Sequence, residues 1–82
     1  MTNPMTTVQV MELLQWAIKL NRTIVINYQS LSGDKTERTI LPYLLKKGKE
    51  NEIIEAFCCT RKEPRNFIIK NIEHAHINIV GF

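Results

Sequence analysis

Residues 10–29, VMELLQWAIKLNRTIVINYQ, contain the change of apolar period that decides the fold. In the first half, the apolar side chains fall on one face of a helix: Val10, Leu13, Leu14, Ala17 and Ile18. In the second half, Ile24, Ile26 and Tyr28 alternate with more polar or outward-facing residues, which is the period of a β-strand. The stretch therefore predicts a helix that is followed directly by a strand.

Residues suited to helix ends flank the first of these elements. Thr6 and Gln9 have the spacing of a capping box, in which each side chain binds the backbone N–H of the other residue. Asn21 and Arg22 are typical of the end of a helix. The sequence predicts a helix over residues 7–20.

Short β-like segments follow, joined by turn residues. We expect a first strand up to Gln29, and then segments at 36–41, 43–47, 53–60, 66–69 and a last alternating run with Ala75, Ile77 and Ile79. Pro42 is expected to end the second segment, because proline cannot donate to a strand ladder. One helix and five or six short strands indicate a mainly β, α+β domain with a strongly bent sheet or partly closed barrel.

Length and composition limit what this domain can do. Its 82 residues suffice for one core, so we expect a single domain over residues 1–82, with the barrel at about 22–80. No apolar stretch is long enough to cross a membrane, and no signal peptide is evident, so we expect a cytoplasmic protein without a membrane partner.

Adjacent Cys58 and Cys59 would point to opposite faces of a strand and are expected to be reduced. A net charge of +3 permits an anionic ligand without requiring one.

Arginines and aromatic residues near the strand ends are the main candidates for a binding site: Tyr28, Arg38, Arg61, Arg65 and Phe67. Guanidinium groups suit phosphate and carboxylate oxygens, and an aromatic ring can stack on a base. The alternative is that these arginines are solvated edge residues that protect strands from pairing with other chains. Composition alone favours the alternative.

A family resemblance changes this balance. After the helix come Arg22-Thr-Ile-Val-Ile-Asn-Tyr28, a turn with Gly33, Glu37-Arg38-Thr39-Ile40-Leu41-Pro42, Ile54-Glu55-Ala56-Phe57-Cys58, Arg61, Arg65-Asn66-Phe67 and Ile72-Glu73-His74-Ala75. In order and spacing these segments, over about residues 10–78, resemble the WYL domain of prokaryotic regulators. Glu52-Ile53-Ile54 stands where that family carries Trp-Tyr-Leu.

The resemblance implies both a fold and a function. It implies an SH3-like or Sm-like barrel of about five strands that senses a nucleic acid or nucleotide, in prokaryotic transcription regulation or phage defence. It implies that Tyr28, Arg38, Arg61 and Arg65 face the ligand, and that Phe67 is a core anchor that fixes Arg65. Since the family usually attaches this domain to a DNA-binding domain, a regulatory output would need a partner chain or a homo-oligomer.

The other polar and aromatic residues point less clearly to a function. His74 and His76 share a strand face without a third metal ligand at a typical spacing, so we expect no metal and no cofactor. No acid, base and nucleophile converge, and Glu55 in an apolar strand is a weak candidate for catalysis, so we expect no enzyme. Lys46, Lys47 and Lys49 fit a solvated hairpin better than a phosphate site. Trp16 suits either a dimer contact or a cover for the barrel edge, and a protein-interaction module is the alternative function.

Overall fold

One helix precedes five antiparallel strands in the computed structural model, which describes residues 3–78. The elements are α1 (Thr7–Leu20), β1 (Ile24–Gln29), β2 (Lys35–Lys47), β3 (Glu52–Cys58), β4 (Glu63–Ile68), a 3-10 turn (Ile69–Asn71) and β5 (Ile72–Ile77). The predicted mainly β, α+β class is confirmed. Ile79, expected at the end of the last strand, lies outside the described residues.

Helix α1 has the ends that the sequence predicts. The Thr6 hydroxyl accepts from Gln9 N at 3.1 Å, and Thr6 N donates to Gln9 Oε1 at 2.9 Å, which is a complete capping box. Asn21 closes the helix in the left-handed conformation, with φ 56°. Asparagine tolerates this conformation better than most residues, so the helix ends sharply and β1 begins just three residues after Asn21.

Strand β2 corrects the prediction that Pro42 ends a strand. The strand runs through Pro42 for 13 residues, Lys35–Lys47. Pro42 is opposite Ala56 and Leu44 is opposite Glu55, so Tyr43 is the extra residue of a β-bulge. The bulge disrupts the regular ladder where proline lacks an N–H, and one bent strand replaces the two that were expected.

The sheet has the strand order β4-β3-β2-β1-β5, and no ladder joins β4 to β5 within residues 3–78. The expected barrel is therefore an open, bent sheet. Tyr28 of β1 and Phe67 of β4 have ring centroids 5.0 Å apart. In a flat sheet, three strand spacings would separate these strands by about 14 Å, so the sheet curves strongly back on itself.

The core fills the concave side of this sheet. Val10, Leu14 and Ala17 of α1 are fully buried against it, which confirms the apolar face read from the sequence. The strands contribute the rest of the cluster: Ile24, Ile26, Ile40, Ile54, Ala56, Cys58, Phe67, Ile72 and Ala75, with Ile69 from the 3-10 turn. Cys58, the last residue of β3, is buried, and Cys59, in the turn that follows, is half-buried; both are free thiols.

Candidate functional site

Arg38 lies inside the bent sheet. It is opposite Ile26 of β1 and two residues from the buried Ile40 of β2, so it shares their face of the sheet. Only 8% of its surface is exposed, and it is the one buried charged residue within residues 3–78. Since arginine remains charged in proteins, this position places a permanent cation at the margin of the core.

The guanidinium of Arg38 is only partly satisfied by its neighbours. Its Nε donates to Thr36 Oγ1 at 3.1 Å, and its Cζ lies 5.7 Å from the centroid of the Phe67 ring. Its second nitrogen, NH1, is buried and has no hydrogen-bond partner. No carboxylate of the described residues forms an ion pair with it. A buried charged donor without a partner is destabilising, so Arg38 has an unused capacity to bind an anion.

Two aromatic residues complete this site. The rings of Tyr28 and Phe67 meet edge to face at 81°. The Tyr28 hydroxyl accepts from Ile68 N at 3.4 Å, which links the end of β1 to the end of β4. Tyr28 is also opposite Thr36 in the ladder between β1 and β2. We call Tyr28, Thr36, Arg38 and Phe67 the Arg38 site.

Arg65 has a different environment. It is exposed, and its Nε donates to Glu63 Oε2 at 2.8 Å. Arg65 is opposite the buried Ala56, and two residues before Phe67, so it starts from the same face of the sheet as the Arg38 site. Phe67 is a core residue, as expected, and its ring contacts Tyr28 and Arg38; that it fixes Arg65, two residues earlier on β4, stays a prediction.

Arg61 lies in the exposed turn between β3 and β4. The structure therefore brings Tyr28 and Arg38 together, places Arg65 on the same sheet face, and leaves Arg61 at the surface beside β4.

Sequence reasoning missed Thr36 as a member of the site. Its hydroxyl holds Arg38 Nε and so fixes the plane of the guanidinium. The available signal was the strand period, because residues 36 and 38 of one strand point to the same face. The role of Phe67 had no such signal, since its contact with Arg38 depends on the curvature of the sheet.

The remaining polar candidates lie elsewhere. Lys46 pairs with Glu55 at 2.8 Å, and the hydrogen bond and charge of Glu55 raise the pKa of Lys46 above its usual value. His74 lines a polar recess of about 350 Å³, together with Asn27, Lys35, Thr36, Glu37 and Glu73. Within residues 3–78, no group of three His, Cys, Asp or Glu side chains is placed to hold a metal. No helix in that range is long and apolar enough to cross a lipid bilayer.

Comparisons with known proteins identify relatives of this fold. The model of the WYL domain family matches residues 9–77. Among solved structures, Proteasome accessory factor B/C (PafBC) of Arthrobacter aurescens matches with a TM-score of 0.83 and 28% identity, over 89% of this chain. The chain spans only 12% of that protein's length. No curated protein sequence matches significantly.

Proposed function

The chain belongs to the WYL domain family, and on that basis we propose that it is a ligand-sensing module of prokaryotic transcription regulation or phage defence. It holds an anionic ligand, a single-stranded nucleic acid or a nucleotide, and catalyses no reaction. We place it in the cytoplasm, where such ligands occur.

The buried NH1 of Arg38 is the observation that supports this proposal most directly. The nitrogen has no hydrogen-bond partner, whereas Nε donates to Thr36 and the guanidinium carbon lies over the Phe67 ring. Oxygens of a phosphate or carboxylate would accept from NH1 with charge assistance. NH1 is enclosed in the unliganded domain, so the side chains around it would have to move to admit an anion, which would then supply the acceptor that the guanidinium lacks.

A nucleotide or oligonucleotide fits the surroundings of Arg38 better than a bare anion. Tyr28, which is half-buried at the same site, offers an aromatic ring for a base. Arg65 and Arg61 are exposed on and beside β4, where they would contact further phosphates of a longer strand. Arg65 would then exchange its ion pair with Glu63 for a phosphate.

The test is fluorescence anisotropy of labelled single-stranded DNA and RNA, titrated with the wild-type protein and with Arg38→Gln, at low and physiological salt. We expect saturable, salt-sensitive binding that weakens by roughly a hundredfold in the variant, because a buried charge-assisted contact is lost. Arg22→Gln removes the same charge from an exposed position and should change affinity only slightly. Equal affinities for wild type and Arg38→Gln would refute the site.

A protein-interaction module is the second candidate function. Both edge strands, β4 and β5, have one side without a ladder partner within residues 3–78. Trp16, Leu20 and Phe57 also expose large apolar surfaces. Absence of oligonucleotide and nucleotide binding, together with a stable protein complex, would favour this function.

A further inference from the structure

Helix α1 carries a row of side chains that its own domain leaves partly uncovered. Gln9, Leu13, Trp16 and Leu20 follow one another at spacings of four, three and four residues, which is the pattern of a coiled-coil seam. Trp16 is 48% and Leu20 46% exposed, and Leu13 is half-buried. The row borders a groove of about 560 Å³, which is lined by Met5, Gln9, Glu12, Leu13 and Trp16. We call Gln9, Leu13, Trp16 and Leu20 the α1 seam.

We propose that the α1 seam binds the same seam of a second copy of this chain, with the two helices antiparallel about a two-fold axis. When the two-fold axis crosses each helix midway between residues 14 and 15, Leu13 of one copy is level with Trp16 of the other. Gln9 is then level with Leu20. Each contact occurs twice, as in any two-fold interface, and Trp16 enters the groove beside Leu13 of the opposite copy.

The charges of α1 determine this orientation. Glu12 and Lys19 are the only charged residues of the helix, and each directly precedes a leucine of the seam. They therefore lie on the same flank of the seam. In an antiparallel pair, like flanks face each other, so Glu12 of each copy lies on the side of Lys19 of the other, about 3 Å from it along the axis and within reach of an ion pair. Within one copy the two residues are about 10 Å apart along the axis and do not pair.

The other flank of the seam argues against a parallel pair. Val10 and Ala17 follow Gln9 and Trp16, and both are fully buried against the sheet. A parallel arrangement would turn the charged flank of one helix toward this covered flank of the other. Only the antiparallel arrangement gives both charges a partner of opposite sign.

The charge balance also favours a second copy as the occupant. The whole chain carries +3, so two copies repel each other at most surfaces. Helix α1 has one acidic and one basic residue, so contact through α1 adds no repulsion of its own. Two short helices bury less than a standard interface, although a tryptophan contributes a large apolar area. We therefore expect a dimer that dissociates in the micromolar range.

Sedimentation velocity over about 1 to 500 micromolar protein tests the proposal, because this range spans micromolar dissociation constants. The wild type should shift from monomer to dimer. Glu12→Lys and Lys19→Glu should each weaken the dimer by roughly tenfold. Each variant replaces two ion pairs, each worth up to about fivefold in affinity, with two pairs of like charge. The double variant Glu12→Lys/Lys19→Glu should restore wild-type dimerisation.

Matched controls separate this contact from general charge or apolar effects. Glu50→Lys changes the net charge as Glu12→Lys does, but at an exposed position outside α1, and should leave the dimer intact. Trp16→Ala should abolish dimerisation, whereas Leu31→Ala at a 90% exposed turn residue should not. Circular dichroism establishes that each variant is folded. A wild type that stays monomeric throughout, or a double variant that fails to recover, would overturn the antiparallel dimer.

Discussion

The guanidinium carbon of Arg38 lies 5.7 Å from the centroid of the Phe67 ring, and this contact offsets only part of the energy of burying the charge. A cation over a desolvated aromatic ring gains about 2 kcal/mol, whereas burying an ion costs several kcal/mol. The Thr36 hydroxyl contributes one neutral acceptor, and NH1 has none. We therefore expect Arg38 to lower the stability of the unliganded domain, and under the proposed function a bound anion would offset that cost.

Arg38→Met should stabilise the unliganded protein while it abolishes anion binding. Methionine matches much of the apolar stem and removes the unpaired buried charge, so we expect a gain of about 1 to 3 kcal/mol in the free energy of unfolding. Urea denaturation measures it, with Arg22→Met as the exposed control, for which little change is expected. A loss of more than about 1 kcal/mol for Arg38→Met would mean that the charge is already compensated in the free protein.

Phe67→Ala should be severely destabilising. Phe67 is 1% exposed and packs against Tyr28 and Arg38, so its truncation leaves a cavity at the point where β1 and β4 approach each other. We expect a loss of about 3 to 5 kcal/mol. Phe57→Ala is the matched control, because Phe57 is 39% exposed and should lose much less. Similar midpoints of thermal unfolding for the two variants would contradict the assignment of Phe67 to the core.

Tyr28→Phe should separate the ring of Tyr28 from its hydroxyl. The hydrogen bond from Ile68 N is long, at 3.4 Å, so its loss should reduce stability by about 1 kcal/mol or less. Oligonucleotide affinity should change little in Tyr28→Phe and fall clearly in Tyr28→Ala, because stacking needs only the ring. Affinity lost equally in both variants would show that the hydroxyl, rather than the ring, contacts the ligand.

Glu63→Gln should strengthen the binding of single-stranded nucleic acid. The substitution releases Arg65 from its 2.8 Å ion pair with Glu63 and removes a nearby negative charge. We expect a gain of roughly two- to fivefold, the range of an exposed ion pair. Arg65→Gln should instead lower the slope of log affinity against log salt by about 0.7, the value of one phosphate contact on a single strand. An unchanged slope would place Arg65 outside the ligand path.

Local sequence signals predicted the helix and most of the strands. The capping box of Thr6 and Gln9 and the apolar period of residues 10–18 depend only on neighbours in the chain, and both are confirmed. The break predicted at Pro42 was wrong, because a bulge at Tyr43 accommodates the proline within one strand. Whether a proline ends a strand or bends it depends on the partner strand, which periodicity does not contain.

The sequence by itself determined the order of the elements and the identity of Arg38 as a candidate ligand residue. It also carried the resemblance to the WYL domain family, which the match of the family model to residues 9–77 confirms. The tertiary structure alone decided that Arg38 meets Phe67. The physical reason is the curvature of the sheet: side-chain period fixes which face a residue occupies, but only the bending of the sheet brings β1 and β4 close enough to enclose a charge.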